Sequence, residues 1–451
     1  MSKYIKIKRG LNIKLVGEAG KTITSLPIAD TFALKPQNFI GVTPALTIQQ
    51  GDEVQAGTVL FTDKNEPTIK FCSPVSGEVV EIVRGDKRKI LEIVILADKE
   101  IVYVDFPTAD PADLDREEII ERLLSSGTWP LIRQRPFGII ANPKITPKSI
   151  FISAFDSNPL APDYDFILQG NDPAFQAGLD ALGKLTGGKL HLNVKADTVP
   201  ASIFLNANGV QLNKIAGPHP AGNVGVQIHH IDPVNKGEVV WCLNPQDILI
   251  IGNVFIKGKF EASRTVAFTG SQVNNPCYYK TLIGTSVKNM VADNGLKEGL
   301  SRIISGNVLT GKQITGEGFL DFYDAQLTVI PEGHEPEFMG WLKPGFGKLS
   351  MSRTFFSWLS PHKKHDLSTN MHGEERPFVV TGEYEKVLPM DIYPVHLLKS
   401  ILVEDLEMME NLGIYEVVEE DFALCEFICT SKIESQDIIR KGLDLIRKEL
   451  G

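Results

Sequence analysis

The stretch SIFISAFDSNPLAPDYDFILQGNDPAFQAGLDALGKLTGGKLHLNVK, residues 149–195, decides the reading of the fold. Residues 149–155 form a short apolar run of the kind buried on both faces of a sheet. Asp172 precedes Pro173, a good opening for a helix, and Phe175, Leu179 and Leu182 then fall on one helical face. Gly187 and Gly188 close the helix, and residues 190–194 make a second apolar strand. Strand, helix, strand in this order argues for a parallel, Rossmann-like sheet. Residues 244–255 are a second helical candidate.

Working outward, the first hundred residues read as all-β. Residues 4–8 alternate. GDEVQAGTVLFTDK and SPVSGEVVEIVRGDKRKILEIVIL are β-branched runs broken by glycine and Asp-Lys turns, as in a small sandwich or barrel. Pro107 and Pro111 mark a boundary. Asp115 and Glu118 form a capping box for a helix whose stripe is Ile119, Ile120, Leu123 and Leu124, with Gly127 after its end. From about Arg264, TVAFTG, SVKNMVADNG and SRIISGNVLTG read as a compact β–α–β unit of ubiquitin size, with residues 319–330 continuing as strand. Residues 331–380 are rich in Pro, Gly, His and aromatics and read as irregular. The tail is helical: residues 395–403, 404–412 stopped by Gly413, and 435–450 with Ile439, Leu443, Ile446 and Leu450 on one face. The expected division is 1–105, 106–260, 261–335, 336–385 and 386–451.

Composition narrows the function. The 451 residues carry a formal charge of −10 with both signs well mixed, which disfavours nucleic-acid binding. No apolar run approaches the ~20 residues that span a bilayer, and the N-terminus lacks the apolar core of a signal peptide. Five scattered cysteines argue for a reduced, cytoplasmic setting rather than a disulfide framework.

Four motifs invite chemistry. The sandwich resembles lipoyl and biotinyl carriers, with Asp63-Lys64-Asn65 at the hairpin where a carrier holds its modified lysine. The usual flanking pattern is absent, so a plain turn is the favoured reading of Lys64. The turn after residue 155, DSNPLAPDYD, has no glycine and cannot cradle a dinucleotide phosphate as GxGxxG does. GPHPAGNVG, residues 217–225, leads into VQIHHIDP. Read as a strand, 226–233 sends His229 and His230 to opposite faces, which gives no metal set. The segment is expected to be a rigid loop shaping a surface, with His219 in it. Cys425 and Cys429 lie four apart in ALCEFICT, too few for a cluster, and read as buried structural thiols. GxSxG, Walker A, HExxH and EF-hand patterns do not occur.

The order of segments carries a resemblance that no single motif does. IKIKRGLNIKLVG, VTPALTIQQGDEVQAGTVLFTDK, SGTWPLIRQRPF, SIFISAFDSNPLAP, GPHPAGNVGVQIHHIDPV, GSQVNNP, RIISGNVLTG and DFALCEFIC follow one another from end to end. In this the chain resembles the NqrA family, the A subunits of the Na⁺-translocating NADH:quinone reductase. The resemblance implies a lipoyl/biotinyl-like β-sandwich, a Rossmann-like α/β domain, a ubiquitin-like (SLBB, β-grasp) domain and a helical tail. It also implies kinship with the C subunit of Rnf complexes and with the NADH-binding flavoprotein of complex I. There a glycine-rich loop after the first helix holds FMN and the tail binds an iron–sulfur cluster. Here SGTWPLIRQRPF fills the loop position, and Cys425 and Cys429 look like the cluster's remnant. The implied role is a non-catalytic, cofactor-free subunit of a translocase that uses NADH, flavins, iron–sulfur centres, quinone and Na⁺. It would sit peripherally on the cytoplasmic face of the bacterial inner membrane beside the B to F subunits, above all a membrane subunit. A quinone-proximal surface would draw on Leu34, Phe39, Ile40, Trp129, Arg135 and Phe137. The competing expectations are a Lys64 carrier or an Rnf-type redox subunit.

Overall fold

The computed structural model describes residues 2–334, 337–340 and 342–450. Its centre is a seven-stranded sheet in the order Tyr4–Lys6, Gln211–Ala216, Leu190–Lys195, Ile150–Ser153, Val240–Leu243, Arg133–Arg135, Ile139–Ile140. The first five strands run parallel, Arg133–Arg135 runs against them, and Ile139–Ile140 turns back antiparallel to Arg133–Arg135. Because side chains alternate along a strand, Ile150 and Ile152 enter one core and Phe151 the other. The helices Asp172–Leu185 and Pro245–Lys257 cover the first face. They meet at glycines: a Cβ on Gly252 would stand 1.8 Å from the Ala174 carbonyl oxygen, and one on Gly178 2.3 Å from that of Ile248. Asn244 and Asp247 box the start of the second helix, and Gly258 ends it at φ +64°.

The N-terminal barrel-sandwich pairs a four-stranded sheet (Thr31–Leu34, Ile90–Ala97, Gly77–Arg84, Glu53–Val54) with a three-stranded one (Pro44–Leu46, Val59–Asp63, Lys70–Cys72). Phe61 and Phe71 stack at 4.4 Å between them, and Phe39 lies 4.5 Å from Phe71. Each such ring contributes about 1.5–3 kcal/mol by burial. This core runs without a break into the first face of the central sheet. The helix Arg116–Ser125 bridges the two, opened by the expected Asp115–Glu118 box.

A mixed six-stranded sheet follows the order Lys312–Ile314, Ser301–Ser305, Gln326–Pro331, Ser263–Thr269, Cys277–Leu282, Ile23–Ser25 and packs against the helix Lys288–Asn294. The tail helices Pro394–Leu402, Leu406–Asn411, Ala423–Ile428 and Ser435–Leu450 enclose a second core against the other face of the central sheet.

Four local readings are corrected. Residues 226–233 are not a strand: Val224–Ile231 is a helix, its buried Val224, Ile228 and Ile231 recurring at four and three residues. β-Branched residues suggested extension, and packing overrode that preference. His229 and His230 are therefore about 100° apart around a helix rather than on opposite faces. The alternating residues 4–8 do not stay in the N-terminal sandwich, because Tyr4–Lys6 pairs in parallel with Lys214, Ile215 and Ala216. Of 319–330, only the part from Gln326 is strand. The helix expected to be capped by Asp172 starts at that residue, with Asn171 before it.

Candidate functional site

A cleft of about 450 Å³ opens where the sandwich, the central sheet, the six-stranded sheet and the helical tail meet. Arg133 and Arg135 reach it from an antiparallel strand paired with Val240–Leu243, Arg133 standing opposite Cys242. The loop after Ile150–Ser153 brings Asp156 and Asn158, the 306–312 turn brings Lys312, and Tyr323 and Asp324 follow it. Val418, Glu419 and Glu420 close the far side.

Electrostatics set the character of this cleft. Arg135 is buried and donates from Nη1 to Asp421 Oδ2 at 2.9 Å and from Nη2 to Glu420 Oε1 at 2.5 Å. Burial works against its charge, but Asp421 and Glu420 outweigh that and push its pKa up. Asp421 gets this close because Gly225 lacks a side chain: a Cβ there would lie 2.5 Å from Oδ1. Arg133 is held differently, its guanidinium 5.0 Å from the Tyr323 ring centre, and Tyr323 donates its hydroxyl to the Pro130 carbonyl at 2.7 Å. Asp156 accepts from the backbone and side-chain nitrogens of Asn158, both at 2.8 Å, and burial raises its pKa. Asp324 is pushed up to about 6 by burial and by neighbouring Asp321, while Ser305 donates to it at 2.6 Å. Carboxylates outnumber cations on the lining, and Arg135 is already neutralised. Such a surface suits a polar or cationic partner group. It fits a flavin phosphate poorly.

The expected site residues separate. Ile40 and Arg135 line the cleft. Leu34 and Phe39 are core residues of the sandwich. Trp129 is fully buried, edge-on to Trp241 at 5.5 Å, and donates from Nε1 to the Ala141 carbonyl at 2.7 Å. Phe137, at φ +80°, packs edge-on to Tyr415. At the position where the resemblance implied a flavin loop, Gly127 serves packing: a Cβ on it would sit 2.3 Å from Cys72 Sγ. The 133–138 face carries arginines rather than a backbone cradle.

From His219 to Gly225 the GPHPAGNVG loop is buried rather than surface-shaping, which corrects the expectation for all but exposed Gly217 and half-buried Pro218. His219 accepts or donates at Nδ1 to Ser157 Oγ at 2.9 Å, and Ser157 Oγ receives the Gly222 N–H at 2.8 Å. The loop thereby pins the segment that carries Asp156. His229 pairs with Glu416 at 2.7 Å and accepts from the Asp391 backbone at 3.1 Å, so it joins the helix to the tail. Lys64 is exposed at its hairpin turn, which Asp63 organises by accepting from the Thr43 and Asn65 backbones. Cys425 and Cys429 are buried and free, and burial raises the Cys425 pKa well above its ordinary value. Among the described residues no group of three or more His, Cys, Asp or Glu is arranged to hold a metal.

Burial holds His219 down at about 4, well under the ordinary histidine range near 6.5. The unfolded chain takes up this proton first, so the stability tied to neutral His219 is present above about pH 6.5 and is lost as pH falls toward 4. The loss is on the order of 3 kcal/mol. Asp324, with its raised pKa, acts in the opposite direction over part of that range. In a His219→Gln variant, the urea midpoint should therefore fall less steeply from neutral pH toward 4 than in the parent. Parallel curves would show that His219 does not carry this effect.

Sequence comparison matches the chain in three parts. Residues 5–98 match the NqrA N-terminal barrel-sandwich hybrid domain, 114–260 the NqrA second alpha/beta domain, and 265–316 the NQRA C-terminal domain. The chain is 38% identical over 449 residues to the A subunit of the Na(+)-translocating NADH-quinone reductase of Yersinia pestis bv. Antiqua (strain Angola), covering 99% of this chain and 100% of that one. It is equally similar to the A subunit of Pasteurella multocida (strain Pm70), with the same coverage. Against that of Rhodopirellula baltica it is 38% identical over 453 residues, covering 98% of each. Among solved structures, an NAD⁺-reducing nickel–iron hydrogenase in its H2-reduced state gives a TM-score of 0.41 at 11% identity. That match covers 75% of this chain and 62% of the hydrogenase chain.

Proposed function

The chain belongs to the NqrA family, the A subunits of the Na⁺-translocating NADH-quinone reductase, and from that premise we propose that it is a cofactor-free docking and assembly subunit of such a translocase, beside the quinone-reducing step. The observation that carries this reading is the Arg135–Glu420–Asp421 network. Where a redox subunit would spend its cations on a cofactor phosphate, this chain spends Arg135 on fastening its own tail across the cleft. Close packing of Gly127 against Cys72 and of Trp129 into the core supports the same reading. The cleft supports docking more than quinone enclosure, because a quinone site is mainly apolar with a few donors, whereas this lining is largely charged and amide.

In this reading the units 1–105, 106–260, 261–335, 336–385 and 386–451 have lipoyl/biotinyl-like, Rossmann-like, SLBB, irregular and helical characters, except that Tyr4–Lys6 and Ile23–Ser25 of the first unit complete other sheets. Among the described residues no helix is long and apolar enough to cross a membrane. We place the chain peripherally, at the cytoplasmic face of the bacterial inner membrane, held by the B to F subunits and above all by a membrane subunit. NADH, flavins, iron–sulfur centres and Na⁺ are handled by those partners.

The test is a strain lacking this chain. Its membranes are expected to lose Na⁺-dependent quinone reduction by NADH and to yield no intact complex. Adding back the purified chain, colourless and of unmodified mass at Lys64, should restore both. Full Na⁺-dependent activity without the chain would sink the assembly role. Stoichiometric flavin absorbance surviving gel filtration would instead revive the redox-subunit reading.

A further inference from the structure

In a chain of net charge −10, residues 338–365 contain five Lys or Arg, six aromatics and no Asp or Glu. The segment is fastened rather than loose. His365 donates its backbone N–H to the Lys14 carbonyl at 2.7 Å and accepts from Val16 at 3.0 Å. Leu349, Met351 and Leu367 turn inward against the second core.

Six other apolar side chains of this segment turn outward. Phe338 is 84% exposed, Leu342 60%, Phe346 58%, Leu359 58%, Phe356 51% and Trp358 48%. They form one face. Phe346 and Phe356 stand 6.0 Å apart, the Phe356 backbone donates to the Pro344 carbonyl, and Arg353 lies 6.0 Å from the Trp358 ring centre. Lys363 donates to the Phe346 carbonyl at 3.0 Å. Lys343 and Lys348 share Glu337, and Lys364 reaches Glu18. Arg353 and Lys363 have no carboxylate partner among the described residues.

We propose that this face seats on the surface of an anionic phospholipid bilayer. Phe346, Phe356, Trp358 and Leu359 enter the headgroup region, and Arg353 and Lys363 meet lipid phosphates. Trp, Phe and Leu interleaved with Lys and Arg is the composition of interfacial membrane surfaces. The buried centre of a protein–protein interface is instead depleted in charge and Lys. Charge complementarity favours the same occupant. The basic face is attracted to an anionic leaflet while the rest of the chain, more acidic than the whole, is repelled, which orients the molecule. The inference deepens the peripheral placement proposed above and rests on it for location only.

The experiment is flotation of the full-length chain with vesicles of phosphatidylcholine alone and of phosphatidylcholine with phosphatidylglycerol. Binding is expected to the mixed vesicles only and should fade with added salt. The double variant Arg353→Gln/Lys363→Gln should bind roughly thirtyfold more weakly, and Phe356→Ser/Trp358→Ser roughly tenfold or more. Both variants alter exposed side chains, and an unchanged thermal midpoint confirms that they fold. Equal binding to neutral vesicles, or variants that bind like the parent, would overturn the proposal. Capture by detergent-solubilised partner subunits with no vesicle binding would also overturn it, and would leave the docking role standing.

Discussion

An Arg135→Ala variant is expected to lose about 3–5 kcal/mol of stability, because it strands the fully buried Asp421 carboxylate without its partner. The loss should be uneven. Arg135 lies on the central sheet and Asp421 at the root of the tail, so removing the bond frees the tail first. Hydrogen exchange across Ser435–Leu450 should quicken before that across Ile150–Ser153. The pair's value depends on its being a pair. Burying two charges costs nearly what their attraction returns, so Arg135→Met combined with Asp421→Leu should regain most of the loss. Urea unfolding of the single and double variants decides the matter. A double variant as unstable as the single would mean that the bond contributes through geometry that apolar side chains cannot reproduce.

Trp129→Ala should be comparably damaging, at about 3–5 kcal/mol, through the cavity it leaves and the unpaired Ala141 carbonyl. This result also separates two roles for the same residue. A tryptophan beside a quinone would, when removed, raise the KM of the assembled complex while leaving the subunit's melting temperature near that of the parent. A core tryptophan does the reverse. The burial of Trp129 against Trp241 predicts a large drop in melting temperature, with complex activity falling in proportion to the folded subunit present.

Those two residues show what can be read in the sequence and what cannot. The capping box at Asp115, the helix that follows Asn244, and the stripe in 435–450 are local patterns, each complete within a few residues. They are readable because period and cap chemistry lie close together in the chain. The helix Val224–Ile231 escapes such reading because VQIHHI is rich in β-branched residues and its period is visible only once Val224 is counted with Ile228 and Ile231. The cleft cannot be read at all. Arg135 meets Asp421 across 286 positions, and Asn38 accepts from the Phe322 backbone across 284. Arg135 stands out in what reads from the sequence as a loop and folds as a strand, but nothing near it in sequence indicates that its charge is already neutralised. Asp156, Tyr323 and Asp324 give no signal, since an isolated Asp or Tyr is ordinary until folding gathers several. Trp129, by contrast, is conspicuous for size, and size is as much a mark of cores as of sites.

The opening segment of the chain takes on a different meaning when the protein is considered as it leaves the ribosome. Tyr4–Lys6 must wait for residues 214–216, and Ile23–Ser25 for residues 278–280, before either strand has a neighbour. Thr31–Leu34, by contrast, finds its partner, within Ile90–Ala97, early in synthesis. The first 25 residues are thus translated first and installed late, each short strand joining a different sheet only after a pairing strand far down the chain has been made. Long-range closure of this kind is slow and leaves strand edges open while synthesis proceeds. The same threading gives the finished molecule its unity. The N-terminus acts as a seam stitched through three sheets, so that the sandwich, the α/β layer and the six-stranded sheet are completed as one object.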